Sequence, residues 1–361
     1  MSSIDAYVLE TDAPDDVSEL RTLVESGEID PANIICILGK TEGNGCVNDF
    51  SRGLAATVYR QTLADWLDIS LEAVDEQVAL IMSGGTEGVM TPHITVFVSR
   101  DSDGTAVDGK RLTGAQTATR AFEPAEIGRR PQVRATADAV TEAMADAGIA
   151  GPDDLHFAQI KCPLLSADQI GELSGDGREP VTEDTYESMG YSRGASALGV
   201  AVATGELSLD AIDDSDICAD PSLYSSVASA SAGSELDNVE VLVLGNSEAS
   251  DSDLVIGHSA MQDALDTGAV HEAASAVGVD LPSDRVRNVL AKAQASSDGT
   301  IRGRRHVIHD DSDINATRHA RSVVNAAIGA TTGDPLAYVS GGAEHQGPDG
   351  GGPVAVIAET Q

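Results

Sequence analysis

The chain has 361 residues, 41% hydrophobic but only 3% aromatic, so small aliphatic side chains must fill a core large enough for two or three domains. Its net charge of −37 argues against nucleic acid and anionic membrane as partners, because like charge repels both. Four cysteines (Cys36, Cys46, Cys162, Cys218) show neither metal spacing nor a disulfide framework, and no signal peptide or 18-residue apolar span is legible, so a soluble cytoplasmic protein is expected. The acid is spread along a chain nearly devoid of lysine, a surface suited to concentrated salt.

In chain order, residues 1–30 read as polar, with a helix near Val17–Glu25. The first clear strand is Ile34–Leu38, followed at once by Gly39 and Lys40; Arg52 opens a helix to about Leu67, and the strand Val78–Met82 delivers Ser83. His93–Val98 is a further strand, ending at the turn Asp101-Ser102-Asp103-Gly104. The pattern restarts with a strand over Arg111–Thr119, a helix over Pro131–Ala147 and a strand over Leu155–Ile160 that ends in Lys161. Ser192-Arg193-Gly194 opens a small-residue helix to about Gly205, and an acidic loop leads to Ser231, with Val239–Leu244 as the next strand. The third pass has a strand at Leu254–Gly257, a helix over Asp284–Ala293 carrying Lys292, and Arg321 heading the helix Val323–Ile328. A short strand, Ala337–Val339, leads into Ser340, and Val354–Ile357 closes the unit after a Gly/Pro loop.

One order, Lys then Arg then Ser, therefore occurs three times: Lys40/Arg52/Ser83, Lys161/Arg193/Ser231 and Lys292/Arg321/Ser340. Each serine heads the same small motif, Ser-small-Gly-x-Glu, at Ser83–Glu87, Ser231–Glu235 and Ser340–Glu344. The interval between lysines, 121 and then 131 residues (40 to 161 to 292), indicates repeated domains rather than a solenoid. The boundaries drawn on this pattern are 1–104, 109–250 and 253–361.

Three of only four lysines occupy equivalent places. Arginine would serve as a mere cation. Lysine can also lose its proton when desolvated or crowded by other cations, and a neutral amine can deprotonate a serine hydroxyl. Small residues after the serine expose main-chain N–H groups for an oxyanion. The arginines, read at helix starts, call for an anionic partner there. The remaining polar clusters are structural: His309–Asp313 lacks the glycine and distal glutamate of a calcium loop, and His93 is expected to pack or cap. No GxSxG elbow, Walker loop or dinucleotide fingerprint occurs.

The segments Gly39–Asp49, Ser83–Pro92 and Ser340–Pro348 make the whole chain resemble the cyanuric acid hydrolase/barbiturase family of ring-opening amidohydrolases. The resemblance implies an α/β fold of three similar domains around a pseudo-threefold axis, with a central strand barrel, helices outside and the active site at the centre. It implies a homotetramer. It assigns Lys161 as base and Ser231 as nucleophile, with Lys40 and Lys292 in supporting dyads. Substrate contacts fall to Arg52, Ser83, Gly84, Arg193, Ser231, Ala232, Arg321, Ser340 and Gly341. It further implies a structural magnesium ion, and no organic cofactor. The metal ligands would be main-chain carbonyls of Ala343, Gln346, Gly347, Pro348 and Gly351 and the side chain of Gln294, where the family has glutamate.

Cyanuric acid, a flat ring with threefold-repeated carbonyl and N–H groups, matches three Arg/Lys/Ser sets. Attack by Ser231 would open it through an acyl-enzyme to carboxybiuret, which loses carbon dioxide to give biuret. The alternatives are a barbiturase opening barbituric acid to ureidomalonate, and a non-catalytic binder of a small cyclic anion.

Overall fold

The computed structural model describes residues 2–102 and 107–360, so Asp103 and Gly104 of the expected turn lie outside the described residues. The first unit runs β1 (Ser2–Glu10), α1 (Ser18–Glu25), β2 (Ile34–Thr41), α2 (Phe50–Leu67), α3 (Leu71–Gln77), β3 (Ala79–Gly84) and β4 (His93–Asp101). The second runs β5 (Arg111–Ala118), α4 (Arg130–Asp146), β6 (Leu155–Cys162), α5 (Ala167–Gly175), α6 (Thr185–Thr204), β7 (Ala228–Ala232) and β8 (Glu240–Ser247). The third runs β9 (Leu254–Met261), α7 (Thr267–Ala276), β10 (Val286–Ala293), the small hairpin β11 (Thr300–Ile301) and β12 (Arg304–Arg305), α8 (Ala316–Thr332), β13 (Tyr338–Gly341) and β14 (Gly352–Glu359).

Each unit folds one four-stranded sheet, and the three strand orders are the same path repeated: β1-β4-β2-β3, β5-β8-β6-β7 and β9-β14-β10-β13. In each, the second strand crosses through helix to a parallel third strand, while the fourth returns antiparallel beside it. The strands alternate between two apolar faces. The outer face packs on helices, as where Ile37, Val96 and Met82 meet Tyr59 and Leu63 of α2. The inner faces of all three sheets meet in a single core, where Leu38, Ile81 and Phe97 join Phe157, Leu242, Ile256, Leu290 and Tyr338. Among the described residues the three sheets remain separate ladders around this core rather than one closed hydrogen-bonded barrel.

Two expectations are corrected here. Lys292 is not on a helix: Asp284–Ala293 contains strand β10. Val286, Val289, Leu290 and Ala293 mimic a helical stripe, but Val289, Ala291 and Ala293 face the outer core while Leu290 faces the inner one. A strand buried on both faces shows no period of two. Nor do Arg193 and Arg321 open their helices. Asp184 caps α6 by accepting from Tyr186 and Glu187 N–H, and Asn315 caps α8 through Thr317 N–H, so both helices begin well before the arginine. Only Arg52 lies in a first turn, behind the Asp49 cap. Strand β1, missed in the polar N-terminal stretch, pairs along its whole length with β4.

Candidate active site

The period of two explains why the three lysines converge. Lys40 follows Cys36 and Leu38 on the inner face of β2, Lys161 follows Phe157 on β6, and Lys292 follows Leu290 on β10. Each is the penultimate residue of its strand and lies in register with a serine on the parallel neighbour: Lys40 with Ser83, Lys161 with Ser231, Lys292 with Ser340. In-register parallel residues point to the same face. The six side chains therefore project inward where the strands end, a customary place for a site in α/β sheets.

The three serines touch. Ser340 Oγ lies 3.2 Å from Ser83 Oγ and 3.0 Å from Ser231 Oγ. A small pocket there is lined by Arg52, Ser83, Gly84, Arg193, Ser231, Ala232, Arg321, Ser340 and Gly341, together with Gly45 and Met189. All nine positions expected to contact substrate thus meet in one place. Tyr338, which the sequence did not single out, packs beside the three serines with its ring 5.9 Å from Lys40 Nζ. Burial raises its hydroxyl to about 12 despite the neighbouring serines, so it stays protonated.

The lysines are sealed from solvent, each at most 1% exposed. Burial, then Arg321, holds Lys40 well below the usual lysine range, and burial, then Arg193, does the same for Lys292. Lys40 Nζ donates to Ser83 Oγ at 3.3 Å, and Lys292 Nζ donates to Ser340 Oγ at 3.1 Å and to the Ala230 carbonyl at 2.6 Å. Lys161 differs. Its Nζ donates to the Met82 carbonyl at 2.7 Å and pairs with Glu235 Oε1 at 2.6 Å, and no hydrogen bond joins it to Ser231. Burial lowers its pKa, and the Glu235 carboxylate offsets part of that shift.

The motif glutamates, seen in the sequence but given no role there, complete the picture. Glu344 holds Arg193 by two bonds of 2.8 and 2.7 Å, and Glu87 holds Arg321 likewise, at 2.8 Å to Nε and closely at Nη2. Both arrangements need the preceding glycine. Gly85 and Gly342 have φ of +95° and +77°, and a Cβ there would lie 2.2 Å from Arg321 and 2.6 Å from Arg193. The third glutamate breaks the pattern. Glu235 sits on Lys161, and Arg52 instead donates to the carbonyls of Ala232 and Cys46 at 2.9 and 2.8 Å, leaving its buried Nε without a partner among the described residues.

The residues expected around magnesium give a structural ion no support beyond neutral oxygens. Gln294 brings no charge, and its Oε1 accepts from Ala343 N–H at 3.0 Å. The carbonyls of Ala343 and Pro348 close turns to Gln346 and Gly351 N–H. Gln346 turns its side chain away to receive Ala230 N–H at 2.7 Å, which fixes the strand just before Ser231. Gly347 and Asp349 border the same hollow as Gln294, but Asp349 accepts from Ser297. Among the described residues no group of three or more His, Cys, Asp or Glu side chains could hold a metal ion. A hard cation prefers several charged oxygens, which this loop does not supply. His93 packs as expected: burial lowers it to about 4 and its Nδ1 meets the Thr91 carbonyl. Asp311 makes an acidic turn, receiving Asp313 and Ile314 N–H.

Known proteins resemble this chain along its whole length. The pattern of the family described as "Amidohydrolase ring-opening protein" matches residues 5–359. A cyanuric acid amidohydrolase of Enterobacter cloacae is 56% identical over 357 residues, covering 96% of each chain, and one of Pseudomonas sp. (strain ADP) is 52% identical over 361 residues, covering 99% of each. A solved cyanuric acid hydrolase, described as an innovation by structural concatenation, has a TM-score of 0.97 at 51% identity with both chains fully covered. Another, from A. caulinodans, has a TM-score of 0.94 at 47% identity, again over both whole chains. With its three repeated sheets, its three Lys/Arg/Ser sets and these likenesses along its full length, the chain belongs to the ring-opening amidohydrolase family.

Proposed function

We propose that this chain hydrolyses cyanuric acid, opening the ring to carboxybiuret, with Ser231 as nucleophile and Lys161 as its base. The observation that carries the reading is the pocket itself: three serines and three arginines line one small space, each serine in register with a buried lysine on the neighbouring strand, a threefold set that suits the ring. The relatives named above as acting on cyanuric acid support the choice of ring.

Each arginine would donate to one ring carbonyl, and the Lys40/Ser83 and Lys292/Ser340 pairs would hold the other two edges. Lys161 takes the Ser231 proton, Oγ attacks the third carbonyl, and main-chain N–H groups after Ser231 receive the oxyanion. Collapse breaks the ring C–N bond, the Lys161 ammonium protonates the leaving nitrogen, and water releases the acyl group. The choice of the second unit is supported by its departure from symmetry: only there does the lysine face a carboxylate instead of its serine. Catalytic hydrogen bonds absent without substrate often form in the complex.

The test is product formation from cyanuric acid and barbituric acid side by side, for the parent and for Ser231→Ala, Ser83→Ala and Ser340→Ala. Ser231→Ala should lose at least about 10³-fold in kcat, while the other two mainly raise KM. Near-normal turnover by Ser231→Ala would refute the assignment, and turnover of barbituric acid alone would move the substrate to that ring. The unit boundaries at 104/109 and 250/253, the homotetramer and a cytoplasmic location belong to the same proposal. Four free thiols suit a reducing compartment.

A further inference from the structure

Lys161 stands between two spaces. On one side lie Ser231 and the pocket that the ring would fill. On the other is a separate cavity of about 450 Å³, lined by Lys161, Glu235 and Glu240 along with Arg60, Asp237 and Asn238. Both side chains border that cavity, but Lys161 is 1% exposed whereas Glu235 is 25% exposed, so the carboxylate presents far more surface to its water than the amine does. The other motif glutamates are locked onto arginines by two bonds each, and Glu235 has been released from the equivalent duty, at the cost of a buried Arg52 Nε without a partner among the described residues.

We propose that Glu235 is the proton outlet of the Lys161 base, passing the proton to the outer cavity beside Glu240 rather than through the substrate pocket. The inference rests on the Ser231/Lys161 reading above. Opening a neutral ring with water yields a carboxylate and one proton. That proton ends on Lys161 as ammonium, moves across the 2.6 Å contact to a Glu235 oxygen, and leaves from the carboxylic acid to water in the cavity or to the Glu240 carboxylate. The amine returns neutral, ready for the next serine, and no other reactant is needed. The charged and titratable groups around the Lys161 amine are Glu235, Arg52, Cys162 and Glu240. Burial lifts Glu240 to about 7, which makes it a proton holder near neutrality and not a fixed anion.

The experiment uses the full-length enzyme with cyanuric acid as substrate. Glu235→Gln keeps a hydrogen bond to Lys161 but cannot carry a proton; its kcat should fall about 10²-fold with KM within about threefold. Glu235→Ala should fall as far and recover at least about tenfold with added formate, in a saturable manner, because the cavity admits a small carboxylate. Glu344→Gln, which loosens Arg193, should raise KM and ignore formate. If Glu235→Ala does not fold, Glu235→Asp replaces it and should restore most of the turnover lost in Glu235→Gln. A kcat for Glu235→Gln within about twofold of the parent, or a folded Glu235→Ala indifferent to formate, overturns the outlet. Lys161→Ala separates the two ideas: if it abolishes turnover while Glu235→Gln does not, only the outlet fails, and if it retains turnover, the dyad fails and the outlet with it.

Discussion

Three amines in a chain of four lysines end up almost wholly buried, two of them in no ion pair with a carboxylate among the described residues. Keeping a charged ammonium there would cost several kcal/mol, so Lys40 and Lys292 respond by holding their pKa values well below 10.5. The sign of the consequence follows from proton counting. Between the lowered folded value and 10.5 the unfolded chain binds the extra proton, so these residues make the protein gain stability as pH rises through that window and lose it as pH falls. Lys40→Met should therefore raise the melting temperature at pH 7, and its advantage over the parent should shrink steadily towards pH 10. An offset independent of pH would contradict the shift. In the sequence, the lysines were conspicuous because the residue is so scarce. The pairing of Glu87 with Arg321 and of Glu344 with Arg193 was not visible, since the partners lie 234 and 151 residues apart.

At the scale of elements, the site depends on strands ending in the right register and on helices packed close behind them. Helix α6 carries Arg193 and lies against α4 at Gly199, where an added Cβ would sit 2.7 Å from the Val133 carbonyl and from the Thr136 side chain. Gly199→Ala should cost about 1–3 kcal/mol, read as a lower melting temperature, with the loss accompanied by a higher KM as Arg193 shifts. Unchanged stability would show that the two helices can separate freely. Strand β10 shows where local reading stops. Its apolar residues suit a helix as well as a strand, and only burial between two cores decides for the strand. The same decision turns Lys292 inward, in register with Ser340.

At the scale of the whole molecule, three helix-covered cores surround one shared core, and the acidic charge sits on the outside of that assembly. A net charge of −37 repels itself unless screened, so the melting temperature should rise by several degrees between 0.1 and about 2 M KCl, most of it in the first few hundred millimolar where the Debye length collapses. A flat response would show that the charges are spaced widely enough to ignore one another. The proposed homotetramer is tested by light scattering, where the expected particle is four times the 37.1 kDa chain and a 37.1 kDa particle would refute it.

The sequence by itself determined the threefold Lys/Arg/Ser order, most strand positions and the family, because repeated motifs and alternating apolar residues are local properties of the chain. Tertiary structure decided the rest. It closed the three serines onto one point, gave two glutamates to arginines from other units and the third to Lys161, and set Gln294 to hold Ala343 N–H. Each of these is a contact between segments distant in sequence. Where a carboxylate or an amide finds its partner depends on which groups folding leaves within reach and out of water, and no spacing along the chain encodes that.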